Sequence, residues 1–334
     1  MKKTLALLLT LMLVLGSVCA LADEKPAPTA EPLHTPGPKD IIITEESGGE
    51  FRPIPIEITN GGAPLPKEVK YDSKMNIYQD PTIRVERHTG YSSYWKCNYY
   101  YMLIEIRDPS QIRTASAAAD DSFRTSATRP VSSISRTKNA VAAINGDYCL
   151  NFSGVVSNNF ILRQGELFRD TIDPQLDMLL IDEDGDFHVL TAPETDFASV
   201  DKTVINGKKV INAFQFGPAL VIDGEKVDDE RINDKNHAPG YTQAKSGAAQ
   251  RMCIAQIDTL HYLVLTCAHP GISLCRMRDL ALTIAPCKVV YNLDGGNSAQ
   301  MTFLHKKFNN VKAGSNKQRP ITDIIYFASA WYYE

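Results

Sequence analysis

The chain has 334 residues, of which 43% are hydrophobic and 22% are charged, and its formal net charge at pH 7 is −4. This composition is ordinary for a soluble globular protein with a sizeable core and one or two domains. The slightly acidic balance gives no basic footprint, so we expect no nucleic acid partner.

Residues 1–22 have the pattern of a secretory signal peptide. Lys2 and Lys3 precede an apolar run over residues 5–18, and residues 20–22 have the small-x-small pattern of a signal-peptidase cleavage site. This pattern predicts cleavage after Ala22, and the apolar run is too short for a comfortable membrane span. We therefore predict an exported or cell-envelope protein that is soluble, without a stable membrane span, after cleavage.

The cysteine count becomes even once the leader is removed, because Cys19 leaves with it. An even count in an exported chain permits disulfides, although the same cysteines also fit small buried side chains. A bridge between Cys275 and Cys287, which bracket a predicted helix, is the favoured pairing. The six remaining cysteines are Cys97, Cys149, Cys253, Cys267, Cys275 and Cys287.

Residues 23–70 are predicted to be a Pro-rich linker or irregular N-terminal segment. Five prolines recur between Pro26 and Pro38, as in an extended linker. Residues 41–43 and 51–58 have strand composition, but the prolines in residues 51–58 restrict that segment to an edge. The folded domain is predicted to span residues 71–334.

Short apolar and β-branched runs separated by turn residues fill most of that domain, as expected for strands. Two helices are predicted, a short one over residues 130–139 and a longer one over 274–284. Ser273 is a suitable N-cap for the longer helix, and Leu274, Met277 and Ala281 have the spacing of one buried face. Many strands with few helices predict an α+β domain built on a mixed β-sheet. The predicted strands cover residues 99–106, 140–144, 159–163, 178–181, 187–190, 213–222, 251–257, 262–266, 288–293, 301–304 and 322–328.

The strand over residues 288–293 runs into an Asp-Gly-Gly sequence that begins at Asp294. Glycine permits a sharp turn and close approach of another backbone or a ligand, so Asp294 and Ser298 could frame an anion or sugar site. Asp-Gly is also the commonest hairpin signal. On its own, the motif favours a plain turn.

Two other polar segments carry weaker signals. The acidic run over residues 182–186 lacks the spacing and distal glutamate of an EF-hand, so a hairpin turn is favoured over a calcium site. Residues 228–247 are polar and predict an exposed loop, and loops commonly carry binding residues. His237 in this loop is retained as a candidate substrate contact.

Six short motifs occur in an order that resembles the bacterial branch of the phosphodiester glycosidase family, over about residues 99–327. An animal enzyme of this family removes N-acetylglucosamine from phosphate on mannose. Three departures from the family pattern are Asp147 in place of a second glycine, Asn297 in place of a third, and residues 267–270 in place of an Asp-Gly-Arg. The motifs are residues 143–148, 216–221, 250–251, 271–274, 292–296 with Ser298, and 319–320.

The resemblance implies cleavage of a bond between an anomeric carbon and phosphate. Such a site needs a carboxylate nucleophile or base, and donors for the departing phosphate. Asp294 and Asp147 would be the catalytic carboxylates, and Arg251 and Arg319 would bind phosphate oxygens. The other candidate substrate-binding residues are Asn145, Gly146, Gly295, Gly296, Ser298 and His237.

Several of these residues also fit purely structural roles. Asp147 fits a turn cap, Arg251 a surface charge at a strand edge, and Arg319 an ion-pair partner of Asp323. The decisive observation would be whether Asp147, Asp294 and Arg251 converge in one open pocket.

The favoured function is an exported hydrolase that cleaves a glycosyl phosphodiester, with an N-acetylhexosamine 1-phosphodiester or a cell-envelope glycan as substrate. No cofactor or metal is predicted. The alternative is a non-catalytic envelope glycan-binding or exopolysaccharide-biosynthesis accessory protein. A third, weaker hypothesis is a metal-dependent phosphodiesterase.

Overall fold

The computed structural model describes residues 48–57, 74–146, 160–234, 249–310 and 319–333. These residues belong to one compact unit, and they are mainly β-strand. In chain order the strands are β1 Gly49–Phe51, β2 Ile77–Gln79, β3 Ile83–Ser92, β4 Cys97–Ile106, β5 Ile112–Ser116, β6 Ala140–Asn145, β7 Ile161–Arg163, β8 Glu166–Arg169, β9 Met178–Asp182, β10 Phe187–Leu190, β11 Val204–Ile205, β12 Lys208–Gln215, β13 Ala219–Ile222, β14 Glu225–Lys226, β15 Met252–Asp258, β16 His261–Cys267, β17 Val289–Leu293, β18 Met301–Phe303, β19 Lys306–Lys307, β20 Asp323–Ala328 and β21 Trp331–Tyr333.

Within the described residues, three α-helices accompany these strands: α1 Val131–Ser135, α2 Asp229–Asn233 and α3 Leu274–Ile284. The predicted α+β class with few helices is therefore confirmed. In the described part of the chain, no helix has the length and apolar character needed to cross a membrane.

An eight-stranded sheet in the order β14-β13-β17-β15-β16-β4-β3-β2 forms the centre of the fold. Its strand pairs are antiparallel throughout the described residues. Strand β17 contributes buried side chains to both faces of this sheet. Val289, Tyr291 and Leu293 enter one apolar cluster, whereas Val290 enters another on the opposite face. Burial on both faces explains why this strand is almost uninterruptedly apolar in sequence.

Helix α3 covers one face of the central sheet, as its sequence predicts. The Ser273 side chain accepts a hydrogen bond from the Arg276 N–H and so caps the helix. Leu274, Met277 and Ala281 are buried against the sheet. Both the helix bounds and its buried face are therefore confirmed.

Two smaller sheets cover the other face of the central sheet. A five-stranded sheet has the order β19-β18-β6-β20-β5, and a six-stranded sheet contains β10-β9-β12-β7-β8 with β11 paired to β12. Their inner residues join those of β3, β4, β15, β16 and β17 in one apolar cluster. Strand β8 lies at the edge of the six-stranded sheet and β14 at the edge of the central sheet. Both are short and partly exposed, as is usual for edge strands.

Part of the predicted linker packs on this domain. Strand β1 pairs with β21, and the Ile54 side chain is only 3% exposed. The Arg113 guanidinium donates to the carbonyl oxygens of Ile54 and Pro55, at 3.5 and 2.8 Å. Residues 48–57 thus extend the fold on the N-terminal side of the predicted start at residue 71.

The predicted bridge between Cys275 and Cys287 is wrong. Cys275 lies in the first turn of α3 and Cys287 lies beyond its last residue, Ile284. Nine helical steps already span about 14 Å, whereas the Cα atoms of a disulfide lie within about 7 Å. Cys149 lies outside the described residues, and the described cysteines are all free thiols: Cys97, Cys253, Cys267, Cys275 and Cys287.

The acidic run is a hairpin turn, as predicted. It connects β9 to β10, which pair antiparallel with Ile181 opposite Phe187. The Lys208 ammonium lies 3.5 Å from Asp182, 2.9 Å from Asp184 and 3.6 Å from Asp186. The ammonium of Lys208 thus balances part of the negative charge of this turn.

Candidate active site

A pocket of about 250 Å³ opens at the ends of three neighbouring strands of the central sheet, where β17 ends and β13 and β15 begin. It contains five of the residues predicted for the site. The residues that line it are Phe216, Gly217, Pro218, Ala249, Gln250, Arg251, Leu274, Asn292, Leu293, Asp294, Gly295, Gly296 and Arg319.

The Asp-Gly-Gly segment crosses from one sheet to another and is not a hairpin. Strand β17 belongs to the central sheet, whereas β18, the next strand, pairs with β6 in the five-stranded sheet. Gly295 passes so close to the Gln250 backbone that a Cβ atom would lie 2.5 Å from the Gln250 oxygen. Only glycine fits there, and the close contact holds the residue after Asp294 against the backbone of residues 250–251.

The positive φ of this segment falls on Gly296, at 59°. Asn297 lies within the 3₁₀ turn Gly296–Ser298, and its φ is not positive. The replacement of a third family glycine by Asn297 therefore imposes no left-handed backbone conformation on a side chain.

The environment of Asp294 makes its carboxyl a weaker acid than usual. Burial is the largest influence and raises its pKa to about 6. The Ser298 hydroxyl, the positive charge of Arg319 and the Gly295 N–H favour the ionised form and lower the pKa. A carboxyl with a pKa near 6 can exchange a proton close to neutral pH, which suits an acid or base in catalysis.

Arg251 is a buried pocket residue and not a surface charge at a strand edge. Its side chain is 5% exposed, and Nε donates to the Ile272 carbonyl at 3.1 Å. Burial lowers its pKa to about 10 because it removes water from the guanidinium. An anion in the pocket would act in the opposite direction and favour the charged form.

Arg319 and Ser298 extend the polar contacts of Asp294. Arg319 Nη1 donates to Ser298 Oγ at 3.3 Å, and the Ser298 hydroxyl donates in turn to the Asp294 carboxylate. Gln300 Nε2 donates to the Arg319 carbonyl at 2.6 Å. The arginine, the hydroxyl and the carboxylate therefore form one hydrogen-bonded chain at the wall of the pocket.

Strand β6 brings Asn145 and Gly146 to the same region. Asn145 Nδ2 donates to the Asp294 carbonyl at 2.9 Å, and Asn145 Oδ1 accepts from the Gln300 N–H at 3.2 Å. The end of β6 is thus tied to the backbone that carries Asp294. Asp147 and His237 lie outside the described residues.

A buried ion pair supports Gly146. The Arg163 Nε and Nη2 atoms each lie 3.0 Å from Asp323 Oδ2. The Asp323 carbonyl accepts from the Gly146 N–H at 3.1 Å, and a Cβ at Gly146 would lie 2.4 Å from Asp323 Oδ1. Asp323 is thus the partner of Arg163, while the Arg319 guanidinium bonds to Ser298.

Strand β17 also holds the opposite wall, formed by residues 216–218. The Phe216 N–H donates to Tyr291 Oη at 2.9 Å, and Asn292 Nδ2 donates to the Gly217 carbonyl at 2.7 Å. No individual role was predicted from the sequence for Asn292, Gln250 or this wall. Their presence in the motifs that resemble the family was the available signal.

The profile of the phosphodiester glycosidase family matches residues 138–328, which is more than half of the chain and includes β6, β15, β17 and Arg319. The chain belongs to the phosphodiester glycosidase family. Membership supports, in general terms, a glycosidase that acts on phosphodiesters. No curated protein sequence is significantly similar to this family member.

The fold is similar to that of a solved zebrafish structure. The catalytic domain of zebrafish N-acetylglucosamine-1-phosphodiester alpha-N-acetylglucosaminidase, auto-inhibited by its pro-peptide, aligns with a TM-score of 0.59 and 14% identity over 80% of this chain and 87% of that one. A Synechocystis protein aligns with a TM-score of 0.46 and 12% identity, over 73% of this chain and 62% of that chain. A Burkholderia pseudomallei protein gives 0.45 and 11%, over 70% and 75%.

Proposed function

We propose that this phosphodiester glycosidase is an exported hydrolase that cleaves the sugar–phosphate bond of a glycosyl phosphodiester. The observation that carries the proposal is the shared pocket of Asp294, Arg251 and Arg319. A carboxylate with a raised pKa shares this pocket with two arginines, which combines a reactive group with an anion-binding surface.

The two arginines would bind the phosphate. A guanidinium presents several N–H donors in one plane and stays charged, which matches the oxygens of a phosphodiester and of the departing phosphate monoester. Because Arg251 is almost completely buried, its interaction with an anion is screened less by solvent than that of a surface arginine.

Asp294 would act in its ionised form at the anomeric carbon. It attacks that carbon or removes a proton from an attacking water, while the bond between the anomeric carbon and the phosphate oxygen breaks. The phosphate leaves with the bonding electrons, and water finally supplies the hydroxyl of the free sugar. Phosphate is a good leaving group, so the site has little need of a separate acid. Asp147 is the second carboxylate proposed for the reaction.

The proposed substrate is an N-acetylhexosamine 1-phosphodiester, free or within a cell-envelope glycan. The pocket volume of about 250 Å³ lies below the usual range of about 300–1,000 Å³ for small-molecule sites, which favours a single sugar unit. Export through the signal peptide would bring the protein to such glycans. The name of the zebrafish relative specifies the same type of bond.

The test uses N-acetylglucosamine 1-phospho-(methyl mannoside) and measures the release of free N-acetylglucosamine. We expect release by the wild type and a loss of at least about a thousandfold in Asp294→Asn, because the amide cannot attack or remove a proton. Glu166→Gln, an exposed change on β8, is the matched control and should retain full activity.

Unchanged release by Asp294→Asn would remove Asp294 from the mechanism. Tight binding of the probe without any release would instead favour the accessory glycan-binding protein. Activity that is lost on exhaustive chelation and restored by a divalent metal would favour the metal-dependent phosphodiesterase.

A further inference from the structure

Asn292 is a pocket side chain whose amide donates a hydrogen bond within the described residues, whereas its oxygen accepts none from them. It lies on β17, two residues before Asp294, and its side chain is 4% exposed. It lines the pocket together with Asp294 and Arg251. A buried amide needs partners for both its N–H₂ group and its oxygen.

The orientation of this amide is determined by its neighbour on the opposite wall. The Gly217 carbonyl lies 2.7 Å from Nδ2 of Asn292. A carbonyl oxygen can only accept a hydrogen bond, so the atom beside it must be the amide nitrogen. The other terminal atom of the amide is therefore Oδ1, a pure acceptor.

Oδ1 of Asn292 receives no hydrogen bond from the part of the protein that the structure describes, although it is buried. Most buried acceptors in native proteins have a donor, and one without a donor carries a desolvation cost. Since the residue lines the pocket, a bound ligand is in a position to supply the missing donor after a small adjustment of the pocket wall.

The required ligand group must carry an N–H or O–H. Phosphate oxygens of a diester are ionised and act as acceptors, so they would be repelled by Oδ1 and attracted to Arg251 and Arg319. Hydroxyl groups and the acetamido N–H of a sugar are donors. A bound glycosyl phosphodiester would therefore meet this acceptor with its sugar and the two arginines with its phosphate.

We propose that Asn292 is a specificity-determining residue, whose Oδ1 accepts a hydrogen bond from a hydroxyl or acetamido N–H of the sugar that is released. This inference rests on the proposed function, because it assigns the sugar side of the same pocket. Two residues of extended chain span about 7 Å, so Asn292 and Asp294 would contact the same sugar ring and not separate units of a polymer.

The test combines changes in the protein with changes in the substrate. The probes are N-acetylglucosamine 1-phospho-(methyl mannoside) and four analogues, each of which lacks one donor: the acetamido group or the 3-, 4- or 6-hydroxyl. Wild type, Asn292→Leu and Asn292→Asp are compared by kcat/KM on every probe. Ratios between variants on one probe cancel differences in the intrinsic reactivity of the analogues.

We expect the wild type to lose about ten- to a hundredfold in kcat/KM on one analogue, the one that lacks the recognised donor. Asn292→Leu should process that analogue and the parent probe equally, within about twofold, because it has no acceptor to leave unpaired. Asn292→Asp keeps an acceptor while losing the donor to Gly217, so it should retain the preference. A purely structural role would lower kcat/KM on all probes by the same factor.

Binding to Asp294→Asn, with and without Asn292→Leu, separates this inference from the proposed reaction. A preference in binding constants that depends on Asn292, together with no turnover by the wild type, upholds the role of Asn292 and overturns the hydrolase. Turnover with a preference that Asn292→Leu leaves intact overturns the role of Asn292 and upholds the hydrolase. Absence of both turnover and binding overturns both.

Discussion

At the scale of single residues, Asp294 is subject to opposing influences. Burial favours its protonated form, whereas Ser298, Arg319 and the Gly295 N–H favour its ionised form, and the resulting pKa is about 6. The ionised form that the proposed reaction needs therefore predominates only above that pH. Two measurable properties depend on this balance: the pH profile of activity and the pH dependence of stability.

The activity of the wild type should rise with pH through about 6, as Asp294 loses its proton. Ser298→Ala removes a hydrogen bond that favours the ionised carboxylate, so its pKa should increase and the rise should shift to higher pH. The measurement is kcat/KM on the phosphodiester probe between pH 4 and pH 9. A shift to lower pH would show that another group controls the profile.

Asp294→Asn should stabilise the fold at pH 7, because it removes a carboxylate that is harder to ionise in the folded state than in the unfolded chain. The folded pKa of about 6 lies above the ordinary aspartate pKa of 3.8, so the native state binds the proton more tightly and wild-type stability falls as pH rises between these values. At about 1.36 kcal/mol per pKa unit, the gain at pH 7 is at most about 3 kcal/mol.

This gain should largely disappear below pH 3.8, where the carboxyl is mostly neutral in both states. Urea denaturation of Asp294→Asn and wild type at pH 7.5 and pH 3.5 measures the difference. A stability gain of the same size at both pH values would exclude ionisation as its cause.

At the scale of secondary-structure elements, the Arg163–Asp323 pair links strands on both sides of the candidate site. Arg163 follows Leu162 at the end of β7, and Asp323 begins β20. The Arg163 guanidinium also donates to the Ala213 carbonyl of β12 and lies 4.0 Å from the centre of the Phe214 ring. Since Asp323 contacts Gly146, this pair connects the end of β6 to the strand that leads into the 216–218 wall.

Asp323→Asn should destabilise the protein strongly, because it leaves the charge of a guanidinium that is 1% exposed without this carboxylate. Loss of one member of a buried ion pair typically costs about 3–5 kcal/mol. The exposed pair of Arg52 and Glu50 provides the control, since Glu50→Gln should cost at most about 1 kcal/mol. Equal effects in urea denaturation would contradict a structural role for the buried pair.

Local sequence predicts those elements whose stabilising interactions are local. The bounds of α3 follow from its cap and its buried face, and β10 is delimited by turn residues on one side. Strand β3 was not predicted, although it has ten residues, because it contains charged residues, a histidine and a glycine. Its ten-residue pairing with β4 stabilises it, and such a partner cannot be deduced from the strand alone.

The same distinction applies to the candidate site. The acid–glycine motif and the resemblance to the family identified Asp294, Arg251 and Arg319, which do share a pocket. The partner of Arg163 is 160 residues away and that of Asn292 is 75 residues away in sequence. Neither contact leaves a local pattern, so the hydrogen-bonding deficit of Asn292 is visible only in the folded chain.

At the scale of the whole molecule, the proposed function requires export. The leader pattern predicts that signal peptidase cleaves after Ala22, so the mature protein should begin at Asp23. N-terminal sequencing of protein recovered outside the cytoplasm checks this. Ala20→Arg with Ala22→Arg should block cleavage, because the peptidase requires small residues at these positions. Recovery of uncleaved wild-type protein from the cytoplasm would contradict the assignment.

The passage of the Asp294 segment from the central sheet to the five-stranded sheet has a consequence for partial unfolding. Strands β17 and β18 are neighbours in sequence but belong to different sheets, and Asn145 reaches the Asp294 carbonyl from the second sheet. If the five-stranded sheet opened while the central sheet stayed intact, Asp294 would lose this support although most of the protein remained folded. Catalysis would then cease before spectroscopic signals of global denaturation changed, which would make enzymatic assays the more sensitive probe of sheet docking.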